Sequence, residues 1–460
     1  MTNSRRSPTD YVFPIPLGTS LDDREDIRSV AETAYIWGWA LANVANRADQ
    51  MSQFADKESL LVNGWPIGYN AFTLQTEPAN PKQRLMCCPN TSLRYGGGAF
   101  TLGTKGVVAQ VPQELVDSGE FWLYSLYDAR SGQFGAIGKQ HGSGSRFYLI
   151  VGPRWDGTNP DPGEFPRERI IHCPTELAFL TARIFIDPDE DNPDWLDSVN
   201  FYLADDYVAG AWQNVDWDDV RDIPCPVIRD EERTYVHPST FFDQLGDLLD
   251  SVPLQAGEER LYDSFRRLLV LANNDRRVMR QCRAVARETE RNTINRYMLW
   301  RNNGDDAGNG WYTTLHSGNW PITEYAARTA TAKSNLFQNR REDTHYYCTD
   351  TTTGGAWLHG RNTYKLTFEG GLPPAQGPWS VTVYRHNHFL YQEPYSFSNR
   401  DLSGLSGTLV VYAGPEPPLA GCNFIRTPRG EKFCLYFRAY WMDPSLLPWT
   451  PPRVEKVTVV

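Results

Sequence analysis

Residues 121–127 read Phe121-Trp-Leu-Tyr-Ser-Leu-Tyr127, a short apolar run that stops at Asp128. Its length and aromatic content predict a strand, closed by a turn at Asp128-Ala-Arg-Ser-Gly. The same texture extends on both sides. Gly106-Val-Val-Ala-Gln-Val111 and Arg146-Phe-Tyr-Leu-Ile-Val151 are runs of the same kind, and Ile171 to Ile186 continues in that style. From Gly64 to about Asp187 the chain therefore predicts a β body of roughly eight strands.

A second stretch of this kind follows beyond Trp311. Thr363-Tyr-Lys-Leu-Thr-Phe368 and Trp379-Ser-Val-Thr-Val-Tyr384 alternate, with Gly370-Gly-Leu-Pro-Pro374 as a loop between them. Leu409-Val-Val-Tyr412 and Phe433-Cys-Leu-Tyr-Phe-Arg-Ala-Tyr440 complete a second β body. The segments before and between these bodies have helical period. Val30, Ala34, Trp37 and Leu41 recur along Asp22–Phe54, with Asp22 or Asp23 as the cap. Phe242, Leu245, Leu248 and Leu249, then Leu261, Phe265, Leu268 and Leu269, do the same within 241–301. The expected fold is mainly β with α: two β-sandwich or jelly-roll-like bodies, an N-terminal helix and a helical connector. The expected limits are 22–215, 216–309 and 310–455.

Composition narrows the function classes. The 460 residues include 15 Trp, 23 Tyr and 21 Phe, enough for aromatic cores or for an aromatic-lined cavity. A net charge of −11 argues against nucleic acid as a partner, since phosphate binding needs a basic footprint. The most basic stretch, Arg276 to Arg296, also carries Glu288 and Glu290 and reads as the solvated face of a helix. Acidic Asp187–Asp194 lacks the spacing of a calcium loop and reads as a capping turn before Trp195. No apolar run is long enough to span a bilayer, and residues 1–16 lack a signal-peptide core. Eight cysteines without a C-x-x-C pair predict free thiols in a cytoplasmic location. Two edge-bearing β bodies make a homodimer plausible.

Several strings, in this order and spacing, resemble the family of paired domains of unknown function 1254 and 1214. In the first half these are Ala34-Tyr-Ile-Trp-Gly-Trp39, Pro89-Asn90 with Tyr95, Leu126-Tyr-Asp-Ala129, Tyr148-Leu-Ile-Val-Gly-Pro153, and Arg183. In the second half they are Tyr325 with Arg328, Tyr364-x-Leu-x-Phe368, Leu372-Pro-Pro374, Trp379-Ser-x-Thr-x-Tyr384, and Leu435-x-x-Arg438-x-Tyr440-Trp441. The resemblance implies no single activity. Two departures from the family pattern stand out. Ser92-Leu93 replaces Asp-Thr, which removes a carboxylate. Tyr384-Arg385 replaces Tyr-Asp, which should alter ligand preference there.

The candidate chemistry gathers at strand ends. Tyr127-Asp128 would supply a proton donor and a general base, or else a turn in which Asp128 accepts backbone N–H bonds. Arg183, set among Leu180, Ile184, Phe185 and Ile186, needs a partner. Asp187 or Asp128 would serve, as would the carboxylate of a ligand. His386 and His388 would share a strand face and could hold a divalent metal with a third ligand. His386 with Tyr384 would otherwise do acid–base work without metal. Arg438 and Tyr440 share a face and could line a pocket with Trp379 or Tyr384, with Arg385 and Asn90 as further substrate-binding candidates. His141 lies on a Gly-rich loop that reads as a lid. No G-x-S-x-G elbow, H-E-x-x-H or dinucleotide fingerprint is present. The expected function is an enzyme without an organic cofactor, performing isomerisation, cyclisation, elimination or hydrolysis. Its small-molecule substrate would be largely apolar and would sit in a cleft between the β bodies. The alternatives are a His-ligated metalloenzyme and a non-catalytic protein binding a carbohydrate or hydrophobic ligand.

Overall fold

Helix α1 (Arg24–Met51) is apolar on every side: from Ala34 to Val44 each residue is buried. A helix of that kind must be enclosed. It is wrapped by α2 (Phe241–Ser251), α3 (Glu259–Asn274), α4 (Arg276–Thr289) and α5 (Tyr325–Ser334). The computed structural model describes residues 24–51, 69–74, 78–81, 86–185, 194–214, 235–314, 316–402 and 407–457. The expected cap at Asp22 or Asp23, and the turn at 187–193, lie outside the described residues. Gly38 lets α2 close on α1, since a Cβ there would sit 2.7 Å from Cζ of Phe241. The helices expected as a connector thus build one layer with α1, and α5 joins it from within 310–455. In α4, Cys282, Val285 and Ala286 are buried in that layer while Arg283 reaches Asp243 at 2.9 Å.

Among the described residues of the first half, nine strands form two sheets. They are β1 (Thr73–Leu74), β2 (Arg94–Thr101), β3 (Val107–Gln110), β4 (Trp122–Asp128), β5 (Gln133–Gly138), β6 (Phe147–Val151), β7 (Ile170–His172), β8 (Leu177–Ile184) and β9 (Asn200–Leu203). Their orders are β1-β2-β8-β4-β5 and β7-β6-β3-β9. Among the described residues of the second half, ten strands do the same. They are β10 (Asp305–Gly308), β11 (Trp311–Thr313), β12 (Thr344–Thr349), β13 (Thr363–Thr367), β14 (Trp379–Arg385), β15 (Ser396–Ser398), β16 (Val410–Gly414), β17 (Phe424–Arg426), β18 (Phe433–Tyr440) and β19 (Arg453–Val457). Their orders are β10-β11-β12-β18-β14-β15 and β17-β16-β13-β19. Each half is a sandwich, and among the described residues no sheet closes into a barrel.

The two sandwiches are one arrangement built twice. Strands β2 to β9 correspond in sequence order to β12 to β19. In each larger sheet the late strand, β8 or β18, lies between the first and the third. In each smaller sheet β3 or β13 has antiparallel neighbours on both sides, and β6–β7 and β16–β17 pair in parallel. The repeat spans half the chain, and no short internal repeat in the sequence announces it.

Two-residue alternation decides what each central strand shows to either side. Along β8, Ala178, Leu180, Ala182 and Ile184 fill the first sandwich core, which places Phe179, Thr181 and Arg183 on the outer face. Along β18, Phe433, Leu435, Phe437 and Ala439 fill the second, which places Cys434, Tyr436, Arg438 and Tyr440 outside. These two outer faces meet at the junction between the halves.

Glu258, fully buried at the start of α3, ties the helical layer to the sheets. It accepts from Trp37 Nε1 at 2.9 Å, Tyr325 Oη at 2.9 Å, the Gln255 N–H at 2.7 Å and Arg130 Nη2 at 3.1 Å. Burial pushes its carboxyl up, but these donors and the Arg130 charge hold it below the usual carboxylate range. Glu258→Gln strands the buried Arg130 guanidinium. A loss of about 3 kcal/mol of stability is expected, read from urea unfolding midpoints.

Candidate functional site

Between the two outer faces lies a cavity that opens to solvent. Tyr95 of β2, Thr181 and Arg183 of β8, Tyr346 of β12, and Arg438 and Tyr440 of β18 form its polar lining. Loop residues Met86–Pro89 and Asn335–Phe337, together with Ala79, complete it and are mostly apolar. Arg183 and Arg438 are 5% and 2% exposed, so both guanidiniums are taken out of water.

The hydrogen bonds of both arginines go to neutral atoms. Arg183 donates from Nη1 to Thr181 Oγ1 at 2.8 Å, and from Nη2 to Tyr127 Oη at 3.0 Å and the Phe337 carbonyl at 3.3 Å. Arg438 donates from Nη1 to Tyr384 Oη at 2.9 Å and from Nη2 to the Cys88 carbonyl at 2.5 Å. Among the described residues no carboxylate forms an ion pair with either one. Guanidinium cannot shed its charge near neutral pH, so two positive charges face one cavity.

Both carbonyl acceptors come from the opposite half. Cys88 and Phe337 hold positive φ values of 50° and 59°, the left-handed conformation that aims their carbonyls across the junction. Asn90 and Asn339, two residues on in each loop, donate their N–H to Tyr95 Oη at 3.0 Å and Tyr346 Oη at 3.1 Å. Asn90 Nδ2 also donates to Tyr440 Oη at 3.1 Å. Tyr127 donates to Asn339 Oδ1, and Tyr384 donates to the Pro89 carbonyl at 2.5 Å. Burial pushes the phenols of Tyr127 and Tyr384 well above the ordinary tyrosine value, so both remain neutral donors beside their arginines.

The structure brings Arg183, Arg438 and Tyr440 into the lining, with Tyr127, Tyr384 and Asn90 directly behind it. The other candidates lie elsewhere. Asp128 accepts from the N–H groups of Arg130 at 2.9 Å and Gly132 at 2.8 Å, which is the turn geometry. Burial raises its carboxyl in spite of those donors. Trp379 belongs to the second sandwich core, stacked on Phe437 at 5.6 Å. Arg385 pairs with Glu431 at 3.3 Å on the surface, away from the cavity. Leu93, at the departure Ser92-Leu93, is buried with Phe121, Leu123 and Tyr440.

The two histidines do not share a strand face. Strand β14 ends at Arg385, and a tight turn follows with His388 at φ 67°. His388 is buried against Tyr436 Oη at 3.1 Å, and burial lowers its pKa to about 3. His386 is exposed beside Trp357, and desolvation there lowers its pKa. Among the described residues, no three His, Cys, Asp or Glu side chains gather in a way that could hold a metal ion. No described helix is long and apolar enough to cross a membrane. Sequence reading passed over Tyr346 and Phe337; their signal was the recurrence of a Tyr opposite each buried Arg, visible only once strands are paired.

These observations define the class: a duplicated two-sandwich protein with a polar-walled pocket at the junction of its halves. The chain belongs to the family that joins two modules each described as a protein of unknown function, DUF1254 at residues 69–200 and DUF1214 at residues 343–444. The VPA0106 protein of Vibrio parahaemolyticus, known from a crystal structure, has the same fold. It is 16% identical with a TM-score of 0.60, covering 94% of this chain and 100% of that one. An uncharacterised protein from Burkholderia cenocepacia is 11% identical with a TM-score of 0.45, covering 96% and 91%. No curated protein gives a significant match.

His141 straps the first half to the second and is not part of the cavity lining. Its Nε2 lies 2.5 Å from Asp343 Oδ1, which also accepts from Gln140 at 2.9 Å, while Gln133 reaches Oδ2 at 2.6 Å. The hydrogen bond to Asp343 raises the His141 pKa above 6.5. Burial pushes the Asp343 carboxyl up, but the bonds from His141 and the two glutamines hold it below 3.8. The histidine contribution is therefore complete below about pH 6.5 and fades as pH rises through its raised value. The Asp343 contribution is lost only in acid, as pH falls through its depressed value. Buried His388, whose pKa is lowered, opposes this trend, so the prediction concerns the difference between the two proteins: His141→Gln should cost more stability at pH 6 than at pH 8. Melting temperatures of both proteins at the two pH values check this; an equal loss at both would refute the assignment.

Proposed function

We propose that this chain binds a small, largely apolar molecule bearing an acidic group, in the pocket between its two sandwiches. The supporting observation is the charge imbalance: Arg183 and Arg438 are buried at one cavity, and no carboxylate among the described residues pairs with either. Leaving a buried charge without a counter-charge costs several kcal/mol, of which neutral acceptors recover part. A ligand carboxylate supplies both the missing charge and the planar acceptor pair that suits a guanidinium. Met86, Leu336 and Phe337 offer an apolar surface to the rest of the ligand.

Acid–base turnover belongs to the same proposal, with its chemistry at the tyrosines of the lining. The hydroxyls of Tyr346 and Tyr440 each accept an N–H bond and keep a proton for a bound group. Isomerisation or elimination assisted by a neutral donor is the reaction type this supports. Asp128, Tyr127, His386 and Tyr384 do not line the cavity, so they do not touch the reacting atoms in this reading. Among the described residues Cys88, Cys173, Cys282, Cys348, Cys422 and Cys434 form no disulfide, which supports a reducing, cytoplasmic location.

A thermal-shift screen of organic acids against their neutral amides tests the proposal. Acids should raise the melting temperature by mass action, and amides should not. Arg183→Met should weaken acid binding about tenfold or more. Tyr440→Phe, which keeps the ring, should leave binding within a few-fold while slowing any turnover. Amides that stabilise as well as acids would refute the reading.

A further inference from the structure

The two arginines occupy corresponding places in the repeat. Arg183 on β8 lies opposite Tyr95 on β2 and Leu123 on β4. Arg438 on β18 lies opposite Tyr346 on β12 and Ser380 on β14. Four residues beyond Leu123 is Tyr127, and four beyond Ser380 is Tyr384; each accepts from the arginine of its own sheet. Each guanidinium then donates to the left-handed residue of the opposite loop, Arg183 to Phe337 and Arg438 to Cys88. Such reciprocity, in which one half does to the other what the other does to it, is what a two-fold relation produces. The cavity lies where this relation crosses itself, with one arginine on each wall.

We propose that the ligand of this pocket carries two acidic groups at separate ends of an apolar body, one for Arg183 and one for Arg438. The proposal rests on reading the pocket as an acid-binding site and goes beyond it in charge and shape. A single carboxylate neutralises one buried guanidinium and leaves its counterpart uncompensated, so the second charge selects a second acidic group. The arginines come from opposite sheets, so the groups belong on separate atoms rather than on one centre. Both guanidiniums line the same cavity, which keeps the span short enough for a small molecule. The apolar loop residues Met86, Leu336 and Phe337 suit a hydrocarbon spacer.

Calorimetric titration of the whole chain decides the question, using linear alkane diacids of graded length, monoacids of matched length, and inorganic phosphate. A diacid of the right length should bind about tenfold or more tighter than its monoacid, because it gains a second charge-assisted pair. That advantage should disappear in both Arg183→Met and Arg438→Met, each verified as folded by near-ultraviolet circular dichroism. Equal binding of monoacid and diacid to the unmodified protein would overturn the inference while leaving the acid-binding reading intact. Phosphate binding as tightly as the best diacid would overturn the separation of the two groups. Absence of binding by any acid would overturn the acid-binding reading itself. The unmodified protein alone can give each of these results, so loss of folding in a variant does not block the test.

Discussion

Two hydrogen bonds that cross the junction, from Arg438 to the Cys88 carbonyl and from Arg183 to the Phe337 carbonyl, set the terms for the rest of the site. Each guanidinium rises from the centre of a sheet whose other face is sandwich core, so it cannot turn toward water. Each must be solvated by what the opposite half presents. That requirement fixes the loops: residues 88 and 337 adopt positive φ although neither is Gly, an arrangement that costs backbone energy and persists where its surroundings over-determine it. Asn90 and Asn339 then hold each loop to a tyrosine of its own sheet. Moving either half therefore disturbs the solvation of both charges.

The helical layer explains why the halves stay in register. A sandwich needs only its two sheets to bury its own core, and the outer face of the larger sheet is left to find a partner. For β8 that partner is partly α1 and the helices around it, through Phe179 and Phe337, whose rings lie 4.7 Å apart. Arg328 of α5 donates to the carbonyl of Trp37 in α1, and burial beside Arg130 lowers its pKa to about 10. Glu258, with Asp128, supplies the counter-charge of this cluster. Among the described residues the junction pocket has no equivalent acid, which sets it apart from that structural charge cluster.

The central strands, α1 to α4 and the two-body division were legible in the sequence, because each rests on local period and turn chemistry; α5 and β12, inside the stretch expected to be the second β body, were not. Arg183 and Arg438 were legible too, since a charged residue inside an apolar strand must be paired with something. The partner was not legible. Pairing depends on which residues of distant loops reach the strand, and no spacing within 177–184 or 433–440 encodes that. The same limit hid Tyr346 and the Asp343 strap, which acquire meaning only across the junction. His386-Asn387-His388 shows the reverse case. Its i, i+2 spacing suggests one strand face, but the strand ends at Arg385 and the turn sends the imidazoles to different surroundings.

Differences between the halves say which charge is the more exacting. Arg183 has Thr181 two residues before it on the same face, and that hydroxyl accepts one of its N–H groups at 2.8 Å. The corresponding residue of the other half is Tyr436, whose hydroxyl is bound to His388 rather than to Arg438. The second guanidinium therefore has one neutral acceptor fewer, at a site where burial is slightly deeper. The residue after each strand tyrosine is also not conserved between halves: Asp128 closes a turn, and Arg385 pairs outward with Glu431. Neither faces the cavity, so the exchange of Asp for Arg alters the surface and leaves the pocket's charge as the two buried arginines set it. Of those two, Arg438 is the one whose solvation depends more on what enters the pocket.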